Sequence, residues 1–158
     1  MGCRANVPEY KRRGENFRKD LDSLVSMFAK KYKDYEFVLS LSGGIDSEVT
    51  AESFYQQGIP FRAVSQRLFG GVNDYDIGYA AKYCKERFID YSIVNLSMDK
   101  MLNYTIPDAI EHGQFTHSYS QIALTNIFSV ARENEIVVFS GHNPDFHRKI
   151  GIGWWEDS

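Results

Sequence analysis

Cysteine is nearly missing from this 158-residue chain, which holds only Cys3 and Cys84. Two such distant thiols make neither a disulfide framework nor a metal-ligand spacing. Positive charge is not in excess either: 18 lysines and arginines face 21 aspartates and glutamates, a net charge of -3. No global attraction therefore draws the chain to nucleic acid or to an anionic membrane. No apolar run reaches the roughly 18 residues of a membrane span, and the N-terminus has no signal-peptide-like apolar stretch. Internal repeats and low-complexity linkers are missing too. What remains is a single domain over 1–158, long enough to bury a core and expected in a reducing cytoplasm.

The one local basic stretch carries Arg4, Lys11, Arg12, Arg13, Arg18 and Lys19, followed by Lys30, Lys31 and Lys33. It reads as the solvated face of a helix, with RNA binding the lesser alternative. The 10 tyrosines and 11 phenylalanines read as core material rather than as base-stacking platforms.

Helical and strand patterns alternate along the chain. Phe17, Leu21, Leu24, Val25, Phe28 and Tyr32 recur at helical spacing and predict an amphipathic helix over about 9–32. Residues 35–41 then read as a strand buried on both faces. A helix is expected to start at Asp46 or Ser47, both good N-cap types, and to end at Gly58 before Pro60. A second strand follows over about 61–66. Asn73 is expected to cap the next helix, with Asp74 and Asp76 suiting its dipole and Ile77, Ala81, Cys84 and Phe88 as its buried face. Cys84 reads as a small core residue. The third strand is 91–96.

The segment 97–117 is irregular in pattern, with Pro107, Gly113 and a short helix near 98–102, and suggests a lid. A longer helix then carries Ala123, Ile127, Val130 and Ala131, and 136–139 is the fourth strand. The alternation predicts an α/β three-layer sandwich around a parallel sheet; in the order 3-2-1-4, with a fifth strand left open, the loops after the first and fourth strands are neighbours. Ligands bind such sheets beyond the carboxyl ends of the strands, where the order reverses. Two polar loops fall there, after the first and the fourth strands.

The first loop is Ser42-Gly43-Gly44-Ile45-Asp46-Ser47. Paired glycines admit an anion close to the backbone, and the helix start behind them offers unpaired N–H groups. Ser42 and Ser47 add hydroxyls, so strand, loop and helix build a phosphate cradle. Asp46 repels phosphate unless a hard cation such as magnesium stands between them or the carboxylate faces the helix cap. A tight turn alone explains the glycines but not the flanking Ser and Asp-Ser. There is no G-x-x-x-x-G-K-[ST], and Gly151-Ile152-Gly153 does not complete G-x-G-x-x-G.

The stretch from Ser42 to Ser47 resembles the SGGxDS signature of the PP-loop, or N-type, ATP pyrophosphatase superfamily. That group includes the ATP-handling domains of asparagine, GMP and NAD synthetases and of several tRNA-modifying enzymes. The similarity spans about 35–146, with 1–34 an N-terminal helix and 147–158 a tail, and Leu39-Ser40-Leu41 also suits it. Gly141-His142-Asn143-Pro144-Asp145 is similar to the family's Gly-His-Asn segment after the fourth strand. Phe146 stands where many members carry an acidic residue. Leu124-Thr125-Asn126 stands where the family often has an arginine, and Arg132 is the nearest basic residue.

The resemblance implies an adenine nucleotide alpha-hydrolase-like fold, with ATP and Mg2+ as cofactors. A substrate oxygen attacks the α-phosphate, pyrophosphate leaves, and ammonia, an amine or sulfur displaces the adenylate. The implied nucleotide-binding set is Ser40, Ser42, Gly43, Gly44, Ile45, Asp46, Ser47, Val64, Ser65, Gln66, Gly141 and His142. Asp46 and Asp145 are the implied metal ligands, and Asp46, Ser47 and Lys149 the catalytic candidates. His147, Arg148 and Lys149 form a basic cluster after the second loop. His112 and His117 lack metal spacing.

The cysteines do not supply the pair that sulfur-transfer members need, nor the four-cysteine zinc site of the deazapurine nitrile synthases. No glutaminase domain is present. Relatives commonly add a substrate-binding domain after the fourth strand, so a minimal form, a second copy or a partner subunit is expected, with Trp154 and Trp155 suited to docking. Three classes compete. They are an adenylate-forming enzyme with a small-molecule acceptor, a non-catalytic nucleotide-binding module, and a tRNA-modifying enzyme.

Overall fold

The computed structural model describes residues 17–111 and 125–139. Four strands form one parallel sheet in the order β3-β2-β1-β4: β1 (Glu36–Ser40), β2 (Phe61–Arg67), β3 (Tyr91–Asn95) and β4 (Glu135–Val138). This is the expected order, and each strand boundary lies within a residue or two of its expectation.

Alternation along the strands divides the core into two layers. Phe37, Leu39 and Ala63 face one way, into a cluster with Val25, Ala51, Phe54, Ala80, Tyr83 and Cys84. Three helices supply that layer: α1 (Phe17–Lys31), α2 (Ile45–Gln56) and α3 (Asp74–Glu86). Val38 and Val64 face the other way and pack with Ile127, Val94 and Phe139 under a 3₁₀ helix, Thr125–Val130. The sheet is thus covered on both faces.

Glu52 on α2 fastens the first layer, accepting hydrogen bonds from the Tyr83 hydroxyl (3.0 Å) and Arg87 Nε (2.9 Å). Cys84 is buried as expected, and burial pushes its thiol up to about 11. Residues 9–16 of the expected first helix lie outside the described residues.

Both long helices after the first strand end in the same motif. Beyond α2, Gly58 at φ +65 donates its N–H to Tyr55 O and Ile59 donates to Phe54 O. Beyond α3, Phe88 at φ 57 donates to Lys85 O and Ile89 to Cys84 O. These are Schellman closures, in which the left-handed position is usually glycine. Phe88 was expected in the buried face of α3 and is instead 97% exposed. The apolar periodicity runs on past the helix, whose real buried face is Ile77, Ala80, Tyr83 and Cys84.

Two other expectations need correction. Asn73 is the residue before α3, but its side chain makes no cap bond. Its Nδ2 donates to Gln66 O (2.8 Å) and its Oδ1 accepts from Leu68 N (2.9 Å), closing the β2–α3 connection instead. The segment after β3 is helical over 98–111: α4 (Met98–Lys100), a π turn (Met101–Thr105) and α5 (Ile106–Glu111). Ser97 Oγ caps it by accepting from Lys100 N. In a regular helix the Pro107 ring clashes with the carbonyl four residues back, and the wider π turn falls at that place. Of the expected helix around Ala123 and Ile127, the described part is the 3₁₀ helix.

Candidate functional site

The loop 42–47 leaves the carboxyl end of β1, the point where the chain order of the sheet reverses between β2 and β4. Two hydrogen bonds anchor the strand end to β2: Leu41 N donates to Val64 O (2.9 Å), and the buried Ser65 hydroxyl donates to Leu41 O (2.5 Å). These bonds occupy the Val64 carbonyl and the Ser65 side chain in support of the loop, and the Val64 side chain is wholly buried in the core. Gln66 O is taken by Asn73. At this strand end the Gln66 side-chain oxygen is left, buried and without a hydrogen-bond partner among the described residues.

Hydroxyls hold the loop in shape. Ser47 Oγ donates to Gly44 O (2.9 Å) and accepts from Ser42 N (3.2 Å). Its single proton being used, the 3.1 Å contact between the two serine hydroxyls makes Ser42 the donor. Ser42 Oγ also accepts from Gly44 N (3.2 Å). Ser47 is buried, so its hydroxyl closes the loop on itself, while Ser42, Gly44, Ile45 and Asp46 are exposed. Ser40 is half-buried at the end of β1, on the Val38 side of the sheet.

The residue before α2 is Gly44, in extended backbone, so the helix starts at Ile45. Asp46 and Ser47, expected at the cap, lie in the first turn. The N–H groups of that turn have no intrahelical partner and face the anion side of the helix dipole. Gly43, at φ +84, is pressed against the next helix: a Cβ there would stand 2.0 Å from the Asp76 carbonyl oxygen. Gly44 has more room, its nearest obstacle being Ser42 Oγ at 3.3 Å from a built Cβ.

Carboxylates dominate the surroundings. Asp46 and Glu48 lie in the first turn of α2, and Asp74 and Asp76 in that of α3. Arg67 at the end of β2 grips Asp74 through Nε (2.6 Å) and Nη2 (2.5 Å). That hydrogen bonding holds the Asp74 carboxyl below the usual carboxylate range and raises Arg67. No hydrogen bond or ion pair engages the Asp46 carboxylate among the described residues. Nor do the described residues hold any group of three or more His, Cys, Asp or Glu able to bind a metal ion. A hard cation that takes one or two carboxylates and completes its shell with phosphate oxygens and water fits such a loop. A cleft of about 400 Å³ opens beside α3, lined by Arg67, Asp74, Ile77, Gly78, Ala81, Ile93 and Asn95.

Gly141, His142, Asp145 and Lys149 lie outside the described residues. Two contributors were not foreseen from the sequence: Asp76 clamps Gly43 through its backbone, and Asn73 bridges the β2 end. Asn126, in the 3₁₀ helix beside the core residue Ile127, is buried with both side-chain polar atoms unpartnered among the described residues.

No protein-family model matches the chain, and no curated protein does. Solved structures match its fold. NMN synthetase from Francisella tularensis superposes with a TM-score of 0.55 at 20% identity, covering 76% of this chain and 51% of that one. The glutamine-dependent NAD+ synthetase from Acinetobacter baumannii, in complex with ADP, gives 0.60 at 14% identity, covering 87% and 26%. The NH3-dependent NAD synthetase from Campylobacter jejuni, in complex with nitrate, gives 0.53 at 18% identity, covering 86% and 59%. The chain therefore spans about a quarter to three-fifths of the proteins it resembles. The four-stranded parallel sheet in the order 3-2-1-4 is the adenine nucleotide alpha-hydrolase-like fold. Among the described residues, no helix is long and apolar enough to cross a membrane.

Proposed function

We propose that this chain is a member of the PP-loop ATP pyrophosphatase superfamily and uses ATP, with magnesium, to adenylylate an acceptor. One observation carries the reading. A glycine-paired loop is clamped by its own serine hydroxyls and by α3, and it presents the first turn of α2 at the carboxyl end of β1. The shared fold of synthetases that handle nucleotides, one of them bound to ADP, supports it.

In this mechanism the backbone N–H groups of the first turn of α2, Ile45 to Ser47, receive the β- and γ-phosphates. An acceptor oxygen attacks the α-phosphorus, the bond to the α–β bridging oxygen breaks, and pyrophosphate departs with the electron pair. The protein acts through positioning and charge stabilisation. Magnesium, when bound, neutralises phosphate charge, with Asp46 as its carboxylate and Asp145 the second candidate. Ser47 holds the loop closed. Ser42, exposed at the loop's mouth, is the hydroxyl that turns its proton from Ser47 to phosphate when ATP binds, and Lys149 the candidate cation for the transition state. The acceptor is a carboxylate- or amide-bearing small molecule, or a tRNA.

The test is product analysis with α-labelled ATP, magnesium and an extract containing metabolites and tRNA, beside the Asp46→Asn variant. AMP and pyrophosphate, lost in the variant, support the reading. ADP and phosphate overturn it. ATP binding without turnover favours a nucleotide-binding module or one that needs a partner subunit.

A further inference from the structure

The sheet ends in a free strand. β3 stands last in the order β3-β2-β1-β4, and no described strand pairs with its outer side. Ala63 N donates to Asp90 O and Leu96 N to Arg67 O, both at 2.8 Å. Ser92 and Val94 between them therefore point their peptide groups at β2, and those of Tyr91, Ile93 and Asn95 point outward. Natural sheet edges are commonly blunted by lysine, proline or a bulge. Here Tyr91-Ser92-Ile93-Val94-Asn95 carries no charge and no proline, pairs in unbroken register with β2, and leaves Ile93 43% exposed.

A cleft adjoins that edge. Of about 400 Å³, it has Ile77, Gly78 and Ala81 of α3 on one wall and Ile93 and Asn95 of β3 on the other. Gly78 stands inside α3, where glycine weakens a helix. Nothing lies within 4 Å of a Cβ built on it, so the protomer's own packing does not require glycine there. Its effect is to keep the cleft open above Ile93. Charge is divided along the same helix, with Asp74 and Asp76 in the first turn and Lys82 and Lys85 toward the end.

We infer that β3 pairs antiparallel with the β3 of a second copy of this chain, joining the two parallel sheets edge to edge. A two-fold axis beside Ile93 sets each Ile93 opposite the other, and the two residues exchange both N–H···O bonds. Residues directly opposite each other point to the same face, so both isoleucines enter the joined clefts. Gly78 and Ala81 wall the cleft opposite Ile93. The same axis therefore sets the acidic first turn of one α3 toward the Lys82 and Lys85 end of the other. Edge, cleft and charge are each complementary to themselves, which favours a second copy over an unrelated strand. The inference does not depend on the ATP reading.

The experiment is sedimentation equilibrium on the full chain without nucleotide, comparing the wild type with Ile93→Lys and Gly78→Gln. Ile93→Lys puts two ammonium groups side by side at the axis, on a side chain that is exposed in the single copy. Gly78→Gln fills the cleft with a better helix former, so the protomer folds and its thermal midpoint at high dilution holds or rises. The wild type is expected to dimerise, and each variant to weaken self-association about tenfold or more. Ile93→Cys in a Cys3→Ser background reports the register. Across the axis the two Cα atoms stand about 5.5 Å apart, within disulfide reach, and oxidation is expected to link them. A monomeric wild type overturns the inference. So does a dimer that survives undiminished in either variant, or a dimer that Ile93→Cys fails to cross-link.

Discussion

Gly43 lies against the first turn of α3 so closely that a Cβ on it would stand 2.0 Å from the Asp76 carbonyl oxygen. The loop that follows β1 is thus shaped by a helix whose sequence begins some thirty residues later. Contact between main chains leaves no side chain to move aside, so the position tolerates glycine alone. Its φ of +84 imposes the same demand independently.

Gly43→Ala is expected to destabilise the protein by more than about 2 kcal/mol and to weaken nucleotide binding. Gly58→Ala is the control. It also has a positive φ, but nothing lies within 4 Å of a built Cβ, so about 1 kcal/mol is expected and binding is kept. Urea unfolding and calorimetry on both variants check this. Equal losses would mean that the Asp76 contact does not matter.

Gly44→Val is expected to fold and to lose ATP affinity. Gly44 has ordinary extended backbone, so valine is not strained there. Its branches, however, start 3.3 Å from Ser42 Oγ and fill the mouth of the loop. Unchanged calorimetric affinity would contradict the cradle.

Asp46→Asn is expected to leave the thermal midpoint unchanged, since no described partner depends on the carboxylate, and to abolish magnesium-dependent release of AMP and pyrophosphate. Full turnover would place the metal elsewhere.

Phe88→Gly is expected to raise stability by about 1 kcal/mol. The wild-type side chain is almost fully exposed, so little packing is lost, while glycine relieves the left-handed strain of the Schellman closure. Chemical denaturation decides it. A loss of stability would show that Phe88 makes a contact worth more than its strain.

Arg62 and Glu135 form a bidentate pair, Nε and Nη2 each 2.6 Å from a carboxylate oxygen, with the Glu135 side chain 1% exposed. Hydrogen bonding from Arg62, against the opposing effect of burial, holds the Glu135 carboxyl down to about 2 from its ordinary 4.5. A depressed carboxyl stabilises the fold above its unfolded value, and that contribution is lost as pH falls through about 2. Glu135→Gln is expected to cost about 3 kcal/mol at neutral pH. It also flattens the fall of the thermal midpoint between pH 4.5 and 2. Parallel midpoint-against-pH curves for the two proteins would refute this.

Much of the fold was legible because it rests on local patterns. The apolar runs 37–39 and 63–64 and the helical spacing of Val25, Phe28 and Tyr32 write burial directly into the sequence. The loop was legible because its glycines, serines and aspartate are contiguous. Phe88 misled because periodicity says which residues could share a face but not where the helix stops. Asn73 misled because an asparagine amide can serve a cap or a strand end equally well, and only the folded chain brings Gln66 and Leu68 within its reach.

By itself the sequence determined the parallel α/β class, the place of the glycine-paired loop between the first strand and its helix, and the burial of Cys84, since each follows from neighbours along the chain. Tertiary structure alone decided that Asp76 presses on the loop at Gly43 and that Arg62 closes on Glu135 across the sheet. Those facts depend on distances between residues more than 30 positions apart. No periodicity or motif encodes such a distance until the strands pair and the helices close over them.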